Sequence, residues 1–315
     1  MARPLRIEYP GAFYHVTARG NEQKDIFKSK REREKFLFYL EVATERYGAV
    51  IHAYCLMSNH YHLMLETPQG NLSQIMKHIN SSYTTYYNVK RKRAGHLLQG
   101  RYKAILVEAD AYATELSRYI HLNPVKAGIA EKPEDYPWMS YHSYTGDASV
   151  PGWLRTDFIL GYFGKREVTA RKKYRQFVHD FIKAEYKNPL QQTVASTILG
   201  SPEFVCEIQD RHLGRIKADR DLPALREITC KLSPDKIMQA VDRFFPADTR
   251  LAAKVGIFLC HRYSGAKLKA IGEQFSLSES GVTQASKRFG QLIEKDKKLR
   301  EMVKGLGESL NLSIV

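Results

Sequence analysis

The sequence predicts an α+β fold, an antiparallel sheet with helices packed on it, followed by an all-α region. Three observations carry this. Two-residue alternation of apolar and polar side chains recurs four times before residue 110. Helical apolar spacing fills the intervals between those runs. Beyond about Val168 only helical spacing remains. The 315 residues suffice for two domains, and 43% hydrophobic residues suffice for buried cores.

The first strand is Phe13-Tyr14-His15-Val16-Thr17-Ala18-Arg19, ended by Gly20-Asn21. Ser29 can cap a helix to about Tyr47, with Phe36, Leu37, Leu40 and Val42 among its apolar positions, and Gly48 stops it. Residues 49–57 form a second strand and Ser58-Asn59 a tight turn. The strand 60–66 follows, which makes a hairpin. Asn71 can cap a helix through about Val89, and Lys90-Arg91-Lys92-Arg93 is a loop or frayed helix end. Residues 101–107 read as a fourth strand. Residues 111–122 read as a third helix stopped by Pro124, because the residue before a proline avoids helical geometry. The order β-α-β-β-α-β-α gives a sheet with helices on it.

Residues 133–165, rich in Pro, Gly, Tyr and Trp, read as a connector packed on the first domain. Helices are expected at 170–184, 224–230, 234–244, 250–263, 267–275 and 280–295, with no strand among them. The expected organisation is a domain over 1–145, a connector and helical segment over 146–220, and a helical domain over 221–315.

Net charge is +15, with about a third of it in the first 150 residues. Both halves are basic, so the charge is not a detachable tail. Nucleic acid is the leading partner class, because neutralising phosphates releases counterions. A basic protein with no polyanion partner is the bland alternative. No apolar run is long enough to span a membrane, and the N-terminus lacks the apolar core of a signal peptide. Cys55, Cys206, Cys230 and Cys260 are scattered, so no disulfide framework is expected and a cytoplasmic location fits.

In Asn59-His60-Tyr61-His62 the two histidines point to one face of a strand, about 7 Å apart along the backbone. Tyr61 points the other way, with Leu63 and Leu65. Two imidazoles on one face can hold a metal ion. Tyr119 and Asn123, four residues apart, share a helix face. A tyrosine that reaches a metal-bound phosphate is a candidate nucleophile. On spacing alone, the pair also fits packed histidines, and most of the 19 tyrosines must be packing or surface residues. His121 and His52 read as structural.

Four runs occur in one order: Tyr14-His15-Val16-Thr17-Ala18-Arg19-Gly20-Asn21, Met57-Ser58-Asn59-His60-Tyr61-His62, Gly100-Arg101-Tyr102-Lys103, and Tyr119-Ile120-His121-Leu122-Asn123-Pro124-Val125-Lys126-Ala127-Gly128. Together they resemble the single-tyrosine transposases of the IS200/IS605 type, nearest to the REP-associated subgroup, over roughly residues 5–145. The resemblance implies a histidine-hydrophobic-histidine (HUH) endonuclease fold, ferredoxin-like in topology. It implies cleavage of single-stranded DNA hairpins of the repetitive extragenic palindrome kind through a 5′-phosphotyrosine, then strand transfer. It assigns Tyr119 as nucleophile and His60, His62 and Asn123 as ligands of Mg2+ or Mn2+. Imidazoles suit transition ions and magnesium prefers oxygen, so manganese satisfies both arguments. Both monomers and homodimers occur among the relatives.

Arg101 and Lys103 share a strand face, and with Lys90, Arg91, Lys92 and Arg93 they are candidate phosphate contacts. Tyr86, Tyr87 or Tyr102 are candidates to stack on unpaired bases. Residues 268–289 have helix-turn-helix form, with Ser278 as N-cap and Thr283, Gln284 and Lys287 on the outer face of the second helix. Residues 230–295 resemble the C-terminal duplex-binding domain of the replication initiator DnaA. Ser278-Glu279-Ser280-Gly281 replaces the stretch with which that protein reads its box, so a duplex is the expected partner but that box is not. Two rival readings stay open: a sequence-specific DNA-binding regulator with a vestigial nuclease domain, and a metal-dependent nuclease that uses water.

Overall fold

Alternation along Ala12–Arg19 and His60–Thr67 is resolved by burying both faces of one sheet. The computed structural model describes residues 6–182, 188–213, 232–246, 248–264, 266 and 268–310. They fall into two units, Met1–Thr229 and Cys230–Val315. The helix expected at 224–230 lies outside the described residues.

The first unit runs β1 (Ala12–Arg19), α1 (Lys30–Tyr47), β2 (Val50–Leu56), β3 (His60–Thr67), α2 (Leu72–Lys90), β4 (Lys103–Val107) and α3 (Ala109–Lys126). The short helices α4 (Tyr141–Thr145) and α5 (Asp157–Gly161) follow, then α6 (Glu167–His179), β5 (Ile198–Leu199) and α7 (Pro202–Ile208). The sheet order is β2-β3-β1-β4-β5. β1 is antiparallel to β3 and β4, and β2 is antiparallel to β3. This is the split βαβ arrangement, with β3 inserted between β1 and β2.

Tyr14, Val16, Tyr61, Leu63 and Leu65 enter the core formed with Phe36 and Leu40 of α1 and Ile75, Ile79 and Tyr83 of α2. On the other face Met64, Ile105 and Val107 pack with Leu116 and Ile120 of α3. Tyr141, Tyr144, Ile159, Tyr174 and Val178 complete that second core. His121 ties α3 to its neighbours: Nδ1 lies 2.7 Å from the Tyr174 hydroxyl and Nε2 2.7 Å from Ser140 Oγ. His52 is also a packing residue, stacked on Phe13 with ring centroids 5.0 Å apart.

Three expectations are corrected. A strand does occur after Val168: β5 pairs parallel to β4 through Leu106↔Ile198 and Val107↔Leu199, so the sheet is not purely antiparallel. Two residues are too few to show a period, and only pairing with the edge of β4 makes them a strand. Second, α3 passes through Pro124. The proline removes one helical N–H, but it sits in the last turn, so little is lost before Ala127 and Gly128 end the helix. Third, β4 starts at Lys103 rather than 101, after a turn with Gly100 in the left-handed region (φ 72).

In the second unit the helices are Pro234–Phe244, Thr249–Leu259, Leu268–Phe275, Glu279–Lys295 and Lys297–Ser309. Ile237, Val241, Val255, Phe258, Ile271, Val282, Phe289, Val303 and Leu306 form its core. Lys297–Ser309 was not expected, although Leu299, Val303 and Leu306 recur at helical spacing. The link 276–278 folds back tightly. The Leu277 amide donates to the Gly272 carbonyl at 2.8 Å, and a Cβ at Gly272 would lie 2.4 Å from the Leu277 oxygen. Ser278 Oγ accepts from the Gly281 amide at 3.1 Å, as expected of a cap. Among the described residues no helix is long and apolar enough to cross a membrane.

The basic run after α2 is partly committed to the fold. Arg91 Nη2 lies 2.8 Å and Lys90 Nζ 3.4 Å from Glu32 Oε1, a fully buried carboxylate on α1. Burial by itself would raise the Glu32 carboxyl. Arg91, the Lys28 amide and Lys90 outweigh it and hold the group below its ordinary value. A folded value below the unfolded one means stability that is present above the unfolded pKa and lost as pH falls through the folded one. Glu32→Gln is therefore expected to lower the stability of the first unit at neutral pH by about 1–3 kcal/mol. The gap from the parent should narrow below about pH 4. Urea unfolding of both proteins across pH measures this, and a gap independent of pH would assign the loss to shape rather than charge.

Candidate active site

Because β3 alternates, His60 and His62 lie on the α3 face while Tyr61 enters the opposite core. Their cross-strand partners on β1 are Arg19 and Thr17, and Thr17 in turn faces Lys103 on β4. The two imidazole centroids are 5.0 Å apart. His60 is half-buried and His62 buried. Each uses Nδ1 inside the protein. His60 Nδ1 donates to Asn59 Oδ1 at 2.6 Å, and His62 Nδ1 lies 3.0 Å from His15 Nε2.

Tyr119 reaches the same place from α3. Its ring meets His62 and His15 edge-on, with centroids 5.8 and 5.9 Å away. His60, His62 and Tyr119 are thus brought together. Asn123 sits one turn further along α3 and donates through Nδ2 to the Tyr119 carbonyl at 2.9 Å. Its Oδ1 is not used in that bond. Among the described residues no hydrogen bond joins Asn123 to either histidine.

His15 was not foreseen as part of the site. Its signal was present, since alternation along β1 puts His15 on one face with Thr17 and Arg19. The pairing of β1 with β3 was not readable from either strand alone. His15 is buried and its Nδ1 has no hydrogen-bond partner among the described residues. Asn188 was missed too. It caps the helical turn Pro189–Gln192, whose Gln192 Oε1 accepts from the Tyr112 hydroxyl at 3.3 Å.

The histidines open into a cleft of about 550 Å3 that is also lined by Thr17, Arg19, Gln23, Asn59, Gln99, Arg101 and Lys103. Three cations and no carboxylate line it, which suits a phosphate backbone. Arg19 Nε donates to Gln99 Oε1 at 2.5 Å, which steadies one of the three. Elsewhere in the basic run, Lys92 and Arg93 are exposed, and Arg93 donates to the His96 carbonyl at 2.8 Å. The tyrosines proposed for base stacking fare unevenly. Tyr87 and Tyr102 are buried; Tyr87 donates to the Asp25 carbonyl at 3.3 Å, and the Arg6 guanidinium covers the Tyr102 ring at 4.3 Å. Only Tyr86 keeps partial exposure. In the second unit Thr283, Gln284 and Lys287 are all exposed on Glu279–Lys295.

Burial sets the protonation states. It raises the Tyr119 hydroxyl above its ordinary value, with the Asn188 side chain opposing in part, so the phenol keeps its proton at neutral pH. Burial and then the Arg19 charge lower His60. Burial, then His15 and His60, lower His62 well below its ordinary value. Burial and then the Lys103 charge push His15 down to about 3. All three imidazoles are neutral at pH 7, the form that binds a metal. Among the described residues no cluster of three or more His, Cys, Asp or Glu side chains could hold an ion. His60 and His62 each engage Nδ1 inside the protein, which leaves Nε2 of each ring as the nitrogen not used in those contacts.

Comparison with known proteins bears on this segment. The chain is 26% identical over 109 residues to a Haemophilus influenzae protein named as a REP-associated tyrosine transposase, which covers 31% of this chain and 62% of that relative's length. A solved structure of a REP-associated tyrosine transposase bound to a REP hairpin aligns at 17% identity and a TM-score of 0.42, over 48% of this chain and 89% of that one. The model of the family "Transposase IS200 like" matches residues 9–123. The segment that holds His15, His60, His62 and Tyr119, and ends on Asn123, is thus similar in sequence to IS200-like transposases.

Proposed function

We propose that this chain is a transposase-type endonuclease and strand transferase that acts on single-stranded DNA hairpins. The observation that carries the reading is the packing of Tyr119 against His62 beside a cationic cleft, within the segment similar to IS200-like transposases. Arg19, Arg101 and Lys103 would hold the strand through its phosphates. The Tyr119 oxygen would lose its proton and attack the scissile phosphorus. The bond from phosphorus to the 3′ oxygen breaks, that oxygen takes up a proton, and a 5′-phosphotyrosine forms. Attack on this linkage by the 3′-hydroxyl of another strand forms a new phosphodiester and returns the tyrosine. One such bond is made for each one broken, so no energy cofactor is needed.

Mg2+ or Mn2+ held by His60, His62 and Asn123 would supply polarisation of the scissile phosphate. Asn123, through its bond to the Tyr119 carbonyl, would also steady the helical turn that presents the nucleophile. The second unit would hold duplex DNA through Thr283, Gln284 and Lys287, and so keep the enzyme near sites where a strand can be extruded. The name of the REP-associated relative accords with repetitive extragenic palindrome DNA as the substrate. Buried thiols at Cys55 and Cys260 accord with action in a reducing cytoplasm.

Tyr119→Phe is expected to abolish the covalent adduct with a labelled single-stranded hairpin while hairpin affinity stays within about twofold, since one oxygen is lost. Denaturing gel electrophoresis reads the adduct. An adduct that persists in Tyr119→Phe makes another tyrosine the nucleophile.

The lowered histidines give a pH signature. Neutral imidazoles persist below the ordinary value of 6.5, so divalent-ion affinity should stay level from about pH 8 down to 6.5 and decline only in more acid solution. Calorimetric titration with Mn2+ measures this. Affinity that is already half lost at pH 6.5 or above would remove His60 and His62 as the ligands.

Lys287→Ala should weaken duplex binding by the full-length protein and reduce its salt dependence by about one unit of logarithmic slope. Hairpin cleavage should be unaffected. Unchanged duplex affinity at low and moderate salt would exclude this helix face as a contact.

A further inference from the structure

The turn before the histidine pair is held more heavily than a hairpin turn requires. Residues 20–27 clamp it from one side. The Gly20 amide donates to the Asn59 carbonyl at 2.8 Å, and the Ile26 and Phe27 amides both donate to the Ser58 carbonyl at 2.9 Å. The strap is itself tight. A Cβ at Gly20 would lie 1.9 Å from the Lys24 carbonyl oxygen, and Glu22 and Gln23 both occupy the left-handed region at φ 54 and 58. Two consecutive non-glycine residues there are costly, and such strain persists only where the surroundings enforce it. Its local product is a carbonyl aimed at one side chain: Gln23 O accepts from Asn59 Nδ2 at 3.1 Å.

That bond fixes which way the Asn59 amide faces. With nitrogen on the Gln23 carbonyl, the oxygen is on His60 Nδ1, 2.6 Å away. An amide oxygen can only accept, so Nδ1 must carry the imidazole proton. A neutral imidazole has one proton, and Nε2 is then the lone-pair atom. The corresponding contact at His62 is with another imidazole, His15, which can donate or accept and so settles no tautomer by itself.

We propose that Asn59 is the positioning residue of this site, which with the Gln23 carbonyl holds His60 in the single tautomer that presents Nε2 as a ligand atom. This rests on the metal site of the proposed function for its purpose, but not for its geometry. The Gly20–Lys24 strap is then part of the active-site apparatus. Groups that orient ligating histidines in this way typically matter about 10–100-fold in metal affinity.

The test uses full-length, metal-free protein labelled with 15N in histidine, in which long-range proton–nitrogen correlation distinguishes the two tautomers. The parent should show His60 protonated at Nδ1. Asn59→Ala should lose that preference, because an unconstrained imidazole populates both forms. Asn59→Asp should retain it, because a carboxylate oxygen accepts the same proton although the bond to Gln23 is gone. Protonation at Nε2 in the parent, or an unaltered tautomer in Asn59→Ala, overturns the proposal. Should Asn59→Ala fail to fold, the parent and Asn59→Asp spectra decide it. Mn2+ titration of the same samples gives the second reading: about 10–100-fold weaker binding in Asn59→Ala, and close to parental binding in Asn59→Asp. Equal Mn2+ affinity in the parent and Asn59→Ala overturns the ligand role of the tautomer. A parent that binds no Mn2+ defeats the metal site itself, and is distinguishable because the tautomer is read without metal.

Discussion

The register between β1 and β3 is the constraint on which the site depends. Side chains alternate with a period of two, so a slip of one residue would send His60 and His62 into the core of α1 and α2 and bring Tyr61 out. Arg19↔His60 and Thr17↔His62 are the pairs at stake. The register is enforced from the other face. Tyr14, Val16 and Ala18 of β1 and Tyr61, Leu63 and Leu65 of β3 are all buried there, and none would tolerate the exchange. Apolar burial on one side of the sheet thereby positions polar chemistry on the other.

That polar face carries a cost. His15 and His62 are buried, and three imidazoles lie near Arg19 and Lys103. Water is largely excluded from the two deeper rings, so the charged imidazolium is disfavoured and the neutral form holds over the physiological range. The same burial keeps the Tyr119 phenol protonated. A site of this kind does not present a ready nucleophile. It presents neutral ligating nitrogens, a tyrosine packed against them, and a cleft whose fixed charge is positive.

Polar groups elsewhere show the difference between a buried charge that serves the fold and one that serves the cleft. Glu32 draws Arg91 and Lys90 toward α1, so two members of the basic run serve the fold while both residues stay exposed. Among the described residues Arg101 and Lys103 form no such ion pair, and both line the cleft. His121 resembles the site histidines in burial, but both its nitrogens are engaged, by Tyr174 and Ser140, and none is left over.

Sequence by itself determined the features that depend on local periodicity. These are the four main strands and the helices between them, the shared face of His60 and His62, the shared face of Tyr119 and Asn123, and the helices around the 276–278 turn. Each follows from side-chain spacing within one element, which is written in the chain. Tertiary structure alone decided what depends on partners distant in sequence. It brought His15 to His62, Asn188 toward Tyr119 and Glu32 to Arg91, and made a strand of Ile198–Leu199. It also buried Tyr87 and Tyr102, which composition offered as stacking surfaces. The physical reason is common to all of these. A hydrogen bond, an ion pair or a buried ring is a property of two surfaces that meet, and a linear pattern reports only one of them.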